Sequence, residues 1–144
     1  GFNGDNIPAN QAELNLPVGL AVSSNNLYIS DASNNRIRKI DLSTGIISTV
    51  AGTGSAGFSG DGGLAVNAEL NFPFDVSVDN TGNLYIADAN NNRIRKVDLS
   101  NGVISTIAGT GSAGFSGDNG FAINAELNFP NGVAVDNLNH LYIS

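Results

Sequence analysis

The chain has no cysteine, a single histidine and few basic residues among its 144 positions. The absence of cysteine excludes disulfides, thiolate catalysis and cysteine-ligated zinc. Lys and Arg number 6 against 13 Asp and Glu, for a formal net charge of −7. This balance argues against a nucleic-acid partner, because nucleic-acid binding normally requires a basic surface. No apolar run approaches the length of a membrane span, so we expect no membrane insertion.

The composition nevertheless supports a folded domain. Apolar residues make up 41% of the chain, enough for a core, and the length is that of one domain. Asn, Gly, Ser and Thr are plentiful whereas Lys is scarce. We therefore expect a secreted or cell-surface protein.

The sequence repeats with a period of 57 residues. The run GTGSAGFSGD begins at Gly52 and again at Gly109, and NRIRK begins at Asn35 and again at Asn92. The tripeptide LYI occurs three times, at residues 27–29, 84–86 and 141–143. Two full periods and part of a third therefore fill the chain, which indicates a repeat architecture.

Each period is predicted to hold four short strands. Alternation of apolar and polar residues over 74–79 is typical of a half-buried strand, and turn-forming residues separate it from the next apolar run. We predict strands near 18–23, 27–30, 36–41 and 46–51, repeated about 57 residues later, and one helical turn within 122–127. The residues expected to be mostly buried are Val22, Leu27, Ile29, Val78, Leu84, Ile86, Val135, Leu141 and Ile143.

Four short antiparallel strands per repeat describe a blade of a β-propeller. The prediction is an all-β chain with about two and a half blades. An open β-solenoid is the alternative and fits less well, because its coils are usually shorter and simpler. The expected division is a connector (1–17), a blade (18–54), a connector (55–73), a blade (74–111), a connector (112–130) and a half blade (131–144).

The repeat resembles the NHL repeat of six-bladed propellers. The resemblance is carried by PFDVSVD at 73–79, NLYIAD at 83–88 and NRIRKV at 92–97. The Gly-rich connector resembles the GFSGDGG insertion of many bacterial NHL proteins. Proteins of this family are mostly non-catalytic interaction platforms, some of which bind RNA or protein, and a few relatives are lyases or hydrolases. The resemblance also implies that the chain is part of a larger propeller.

All six basic residues lie in the two copies of NRIRK. They could form a positive ring for RNA or phosphate. The favoured interpretation is structural: the arginine stems cover apolar blade surface while the charged heads pair with nearby acids. The expected acidic partners are Asp31, Asp41, Asp88 and Asp98. Asp31 and Asp88 are also expected to shape their own turns by accepting backbone amides.

Gly-rich loops with an aspartate, such as the GFSGDGG connectors, can hold phosphate or calcium. They lack the carboxylate density of a calcium loop and the lysine of a P-loop, so we expect no metal and no cofactor. Phe58 and Phe115 are expected to pin the connectors to the blades. Asp5, Asp61 and Asp118 are expected to bond to amides of their own loops.

We expect no catalytic residues, since His140 is the one histidine and lies in a turn. The predicted function is an interaction or assembly module that binds a protein partner, or completes its own propeller, through the face carrying the long connectors. The alternatives are part of a propeller enzyme whose site needs further blades, and an architectural spacer. Bare blade edges predict that the isolated chain is not a free-standing monomer and could form homo-oligomers. The binding-face candidates are Asp31, Asn34, Arg36, Phe58, Asp61, Asp88, Asn91, Arg93, Phe115 and Asp118.

Overall fold

The computed structural model describes all 144 residues and contains eleven strands in three antiparallel sheets. The strands are β1 (Ile7–Pro8), β2 (Pro17–Ser23), β3 (Asn26–Asp31), β4 (Arg36–Asp41), β5 (Ile46–Ala51), β6 (Pro73–Val78), β7 (Asn83–Asp88), β8 (Arg93–Asp98), β9 (Val103–Ala108), β10 (Val133–Val135) and β11 (Leu141–Ile143). Short 3₁₀ turns span Ala9–Gln11, Ala32–Asn34, Ala65–Asn67, Ala89–Asn91 and Ala122–Asn124. No helix is long and apolar enough to cross a membrane.

The sheets are consecutive meanders of neighbouring antiparallel strands. Blade 1 has the order β1-β5-β4-β3-β2, blade 2 has β6-β7-β8-β9, and the half blade has β10-β11. The first strands β2, β6 and β10 pack beside one another, so the blades fan out from a common inner edge. The all-β prediction and the four predicted strands per repeat are confirmed, and the solenoid alternative is excluded by the antiparallel pairing.

The apolar core lies between successive sheets. The larger cluster joins blade 1 to blade 2 and includes Tyr28, Ile37, Leu84, Ile86 and Ile104. A smaller cluster joins blade 2 to the half blade, where Val133 packs against a set that includes Tyr85 and Ile94. Blade 2 is therefore covered on both faces, and the other two sheets on one.

Burial follows this arrangement and corrects part of the sequence-based prediction. Ile29, Leu84 and Ile86 are buried as predicted, at 5% exposure or less. Four others are partly buried: Leu27, Val78, Val135 and Leu141. The prediction is wrong for Val22, which is 65% exposed, and for Ile143, which is 37% exposed. Val22 lies on the face of β2 on which no other sheet packs, and Ile143 lies in β11, which pairs on one side only.

The predicted helical turn within 122–127 is present as the 3₁₀ turn Ala122–Asn124. Its counterpart after the first GFSGD run is Ala65–Asn67. In both copies the turn folds the connector back onto the blade it has just left, since Gly52 donates to the carbonyl of Ala65 at 2.9 Å and Gly109 to that of Ala122 at 3.0 Å.

Candidate functional site

The connector between the blades runs along the outer edge of the blade that follows it. The amide of Gly62 donates to the carbonyl of Ile104 at 2.8 Å, and the amide of Ile104 donates to the carbonyl of Gly63 at 3.0 Å. These bonds place the connector beside β9, the outermost strand of blade 2. In the first copy β1 pairs with β5 in the same position. These two connectors thus cover edges that would otherwise present unpaired backbone groups.

Two glycines allow the connector to fold closely on itself and against blade 1. Gly60 has φ +90°, and a Cβ there would stand 2.6 Å from the Cβ of Ala68. Gly52 has φ +96°, and a Cβ there would collide with the backbone oxygen of Asn35. Both positions combine a backbone conformation that favours glycine with a close approach of two chain segments.

The start of the connector closes over two arginines of β8. The guanidinium Cζ of Arg93 lies 3.8 Å from the ring centroid of Phe58, and that of Arg95 lies 4.8 Å from it. Nη2 of Arg95 donates to Oδ1 of Asp61 at 2.8 Å and to the carbonyl of Ser59 at 3.0 Å. We call the group Phe58, Asp61, Arg93 and Arg95 the arginine clasp of blade 2. A ring face and a carboxylate are both favourable neighbours of a guanidinium.

A buried carboxylate, that of Asp88, lies next to the guanidinium group of Arg95. Oδ2 of Asp88 lies 3.3 Å from Nη1 of Arg95, and both side chains are fully buried. Asp88 also accepts the backbone amide of Asn71 at 2.8 Å and the side-chain amide of Asn91 at 2.8 Å. Burial raises the pKa of Asp88, although these hydrogen bonds and the positive charge of Arg95 act in the opposite direction.

Blade 1 carries the same clasp. The Cζ atoms of Arg36 and Arg38 lie 3.8 and 4.8 Å from the ring centroid of Phe2, and Nη2 of Arg38 donates to Oδ1 of Asp5 at 2.9 Å. The buried carboxylate is Asp31, 3.9 Å from Nη1 of Arg38. Two independent copies therefore show one arrangement, in which the connector holds the third strand of the blade that follows.

The third copy of the connector holds no arginine. Phe115 is 86% exposed, against 41% for Phe58, and Asp118 is exposed. The carbonyl of Ser116, whose counterpart Ser59 accepts from Arg95, accepts instead from the amide of Glu126 at 3.2 Å. No further arginine exists in the sequence to fill this clasp.

The structure divides the predicted site residues into three groups by blade. Asp31, Asn34 and Arg36 meet in blade 1; Phe58, Asp61, Asp88, Asn91 and Arg93 meet in blade 2; Phe115 and Asp118 stand alone. In the first two groups they bind one another rather than forming a free surface. The structural interpretation of the arginines agrees with this geometry.

Four details of the sequence interpretation are wrong. Phe115 was expected to pin its connector to a blade, but it is 86% exposed. Asp41 and Asp98 do not pair with arginine but accept from Ser43 and Ser100 in their own turns. Asp5 and Asp61 pair with arginine instead of loop amides. The backbone amides that Asp31 and Asp88 accept belong to the connector and not to their own turns: the amide of Asn15 donates to Asp31 at 2.7 Å and that of Asn71 to Asp88 at 2.8 Å. From their own turns they accept the side-chain amides of Asn34 and Asn91. The arginine partners of Asp5 and Asp61 and the backbone-amide partners of Asp31 and Asp88 lie 16 to 34 residues away from them, so local sequence could not identify them.

The turns between the second and third strands fasten the ends of the connectors. Asn35 has φ +51°; its side-chain amide donates to the carbonyl of Gly54 at 3.2 Å, and its Oδ1 accepts from the amide of Phe72 at 2.9 Å. Asn92 makes the same contacts to Gly111 and Phe129. Connector ends and these turns therefore share one end of the blades, which we call the connector end.

An apolar strip lies at the connector end that sequence reasoning missed. The rings of Phe72, Phe74 and Phe129 form a cluster with centroids 6.1 to 6.5 Å apart. Phe129 is 40% exposed. In the first repeat, Leu16 and Val18 occupy the positions of Phe72 and Phe74 and are 52% and 38% exposed. We define the apolar strip as these five residues. Its signal in the sequence is the large apolar residue before each of Pro17, Pro73 and Pro130.

The backbone of the strip is unusual. Leu16, Phe72 and Phe129 all have left-handed φ, between +52° and +55°. Bulky residues rarely adopt this conformation, and such strain is concentrated at functional sites. Hydrogen bonds from the amides of Phe72 and Phe129 to the side chains of Asn35 and Asn92 stabilise this conformation in the second and third copies.

Titratable side chains are sparse elsewhere. No group of three His, Asp or Glu residues is arranged to hold a metal ion. Nδ1 of His140 lies 3.0 Å from Oδ2 of Asp136, on an exposed turn between β10 and β11. The same Oδ2 of Asp136 accepts from the hydroxyl of Tyr142 at 3.2 Å, so these three side chains form one small exposed polar group.

Comparison with known proteins agrees with the fold and the repeats. Residues 14–40 match the NHL repeat, and residues 55–116 match the teneurin NHL domain. The chain belongs to the NHL-repeat family. Bovine NHL repeat-containing protein 2 is 30% identical over 146 residues, covering 81% of this chain and 20% of that protein. Chicken teneurin-1 is 35% identical over 139 residues, covering 83% of this chain and 5% of that protein.

Solved structures place these NHL repeats in a β-propeller. A protein of unknown function from Bacteroides thetaiotaomicron VPI-5482 superposes with a TM-score of 0.71 at 30% identity, over 82% of this chain and 29% of that chain. Virginiamycin B lyase from Staphylococcus aureus superposes with a TM-score of 0.55 at 17% identity, over 88% of this chain and 33% of that chain, which shows a shared fold alone. The NHL chain thus spans between 5% and 33% of the length of these four relatives.

Proposed function

We propose that this NHL chain is a non-catalytic protein-interaction module that binds its partner through the apolar strip at the connector end. The observation that carries the proposal is the strained, partly exposed row Leu16, Phe72 and Phe129, which recurs once per repeat. Apolar side chains on a rigid scaffold are common anchors of protein interfaces. The arginine clasps hold the connectors in place and so present the strip.

The chemistry of the strip favours a polypeptide over a nucleic acid. The chain carries a net charge of −7, and its buried arginines are already paired. Repulsion between the protein and a phosphate backbone would oppose RNA binding. An apolar or basic peptide segment suits both the strip and the charge.

An enzyme is the second candidate, supported by the fold shared with virginiamycin B lyase. The side chains of this chain favour the binding module, because His140 is exposed and has one carboxylate partner. An architectural role is the third candidate, supported by the near-identity of the two connectors. The proposed setting is secreted or cell-surface. A relative from Arabidopsis thaliana is named as chloroplastic, so the repeat by itself does not specify a compartment.

Selection of a displayed random-peptide library on the immobilised chain tests the binding proposal. The expected peptides are apolar or basic, and their affinity falls at least tenfold with Phe129→Ser. Leu138→Ser is the matched control, since Leu138 is 76% exposed but lies in the β10–β11 turn at the opposite end. Peptides that bind both variants as tightly as the original chain would contradict the proposal.

A further inference from the structure

Four asparagines in the chain are followed directly by glycine: Asn3, Asn101, Asn119 and Asn131. In such a pair the backbone nitrogen of the glycine can reach the side-chain amide carbon of the asparagine, because glycine has no side chain to obstruct the approach. Asparagine is also among the thermolabile residues of proteins. The reaction requires a side chain that is free to rotate onto the nitrogen that follows it, and the four asparagines differ in this respect.

Three of these side chains are held by hydrogen bonds. Nδ2 of Asn101 donates to Oδ2 of Asp98 at 2.8 Å, and Oδ1 of Asn101 accepts from the amide of Val103 at 2.9 Å. Asn3 is bonded at both ends of its amide as well, and Asn131 at one. These contacts oppose rotation of the amide toward the following glycine.

The side chain of Asn119 is exposed and makes no hydrogen bond. Asn119 occupies the third position of a tight turn, in which the amide of Gly120 donates to the carbonyl of Gly117 at 3.0 Å. Its φ is +64°, a conformation that glycine and asparagine adopt more readily than other residues at this position of a turn. Asn119 therefore combines a free side chain with a following glycine.

The same turn in the other two connectors shows that its third position faces solvent. In the connector to blade 2 the position is Gly62, where φ is +82° and a Cβ would have no neighbour within 4 Å, although this connector lies against β9. In the first copy the position is Asn6, which is exposed at φ +60°. Asn6 is followed by Ile7, whose branched side chain obstructs its backbone nitrogen. Only the third copy of the turn therefore pairs asparagine with glycine.

We propose that Asn119 is a site of spontaneous deamidation. The nitrogen of Gly120 bonds to the side-chain carbon of Asn119 and ammonia leaves, which closes a five-membered succinimide ring. Water then adds to one of the two ring carbonyls and opens the ring, giving aspartate or isoaspartate. Either product adds a negative charge beside Asp118, and isoaspartate also lengthens the backbone of the turn by one methylene group. This modification site is independent of the apolar strip.

Incubation of the folded chain in mildly alkaline buffer, followed by peptide mapping with mass spectrometry, tests the site. Asn119 should lose its amide at least tenfold faster than Asn101. In the chain unfolded in urea the two asparagines should react within about threefold of each other, because the bonds that hold Asn101 are then lost. Asn6 should react more slowly than Asn119 in both states, since its following residue is isoleucine.

Two variants separate the fold from the local sequence. Asn119→Gly introduces the residue of the second copy and should prevent the acidic form that isoelectric focusing detects. Asp98→Ala removes one bond that holds Asn101, so it should speed deamidation at Asn101 at least threefold and leave Asn119 unchanged. The proposal is overturned if Asn119 keeps its amide in the folded chain or if Asn101 reacts as fast. It is also overturned if the tenfold difference persists in urea, because neighbouring residues and not the fold would then cause it.

Discussion

Arg38 and Arg95 are fully buried, yet each meets an environment suited to a guanidinium. A carboxylate lies on either side, at Asp5 and Asp31 for Arg38 and at Asp61 and Asp88 for Arg95. A phenylalanine ring covers each outer surface. Because removing one partner of a buried pair leaves the other charge uncompensated, these side chains should be sensitive to substitution.

Arg95→Met is expected to lower the free energy of unfolding by about 3–5 kcal/mol, since it leaves the buried Asp88 without its cation. Urea denaturation followed by circular dichroism measures this loss. Lys96→Met is the matched control, because Lys96 is the neighbouring basic residue and forms no ion pair; its effect should stay within about 0.5 kcal/mol. A loss below 1 kcal/mol for Arg95→Met would show that the pair contributes little.

Asp79 and Tyr85 form a second polar group in blade 2. Burial disfavours the charged form of Asp79, but hydrogen bonds from Asn83, Thr81 and Tyr85 outweigh it and hold the pKa below its usual range. Burial, followed by the hydrogen bond to Asp79 and its negative charge, raises the pKa of Tyr85 to about 12. The folded pKa of this tyrosine exceeds its unfolded value of about 10, so its stabilisation is complete below pH 10 and is lost as the pH rises through the folded value.

Asp79→Asn should lower the pKa of Tyr85 from about 12 while leaving it above 10, because the charge of Asp79 is removed and the burial remains. Titration of ¹³C-labelled tyrosine by NMR measures the shift. The pKa of Tyr28, which is raised by burial alone, provides the internal control and should not change. An unchanged Tyr85 pKa would show that Asp79 does not act on it.

Among the structural elements, the strands were predictable and the connectors were not. Strands reveal themselves by alternation of apolar and polar residues, so β2 to β11 fall where the sequence places them. The connector between β5 and β6 has no such period, and its pairing with β9 depends on backbone bonds to residues about 40 positions later. The sequence predicted the pairing of the arginines with Asp31 and Asp88 but not their pairing with Asp5 and Asp61, because these two lie 33 and 34 residues from their arginines.

The close approach of the connector to blade 1 yields a test at two glycines. Gly52→Ala and Gly62→Ala both place a side chain at positive φ, but Gly52 faces the backbone of Asn35 and Gly62 has open space. Gly62→Ala should cost about 1–2 kcal/mol from backbone strain alone. Gly52→Ala should cost clearly more. Thermal unfolding of the two variants measures the difference, and equal midpoints would contradict the described path of the connector.

At the scale of the whole molecule, the position of a repeat determines how deeply its equivalent residues are buried. Val22 in β2 and Val78 in β6 occupy equivalent positions in their repeats. Val78 is partly buried, whereas Val22 is 65% exposed because no sheet packs on that side of blade 1. Sequence periodicity predicts which face of a strand is apolar, but burial depends on which neighbour covers it. The predicted burial of Val22 and Ile143 was wrong because the sequence pattern is the same in covered and uncovered copies.

The matched pair Phe58→Ala and Phe115→Ala tests the central claim, that the connector containing Phe58 clasps the arginines of the blade that follows it. The ten residues GTGSAGFSGD surrounding each phenylalanine are identical, so local effects on the unfolded chain cancel. Phe58→Ala should lower the free energy of unfolding by about 1–3 kcal/mol, through lost apolar burial and the lost arginine contacts. Phe115→Ala should change it by less than about 0.5 kcal/mol, because Phe115 is 86% exposed. Equal losses for the two variants in urea denaturation would contradict the account.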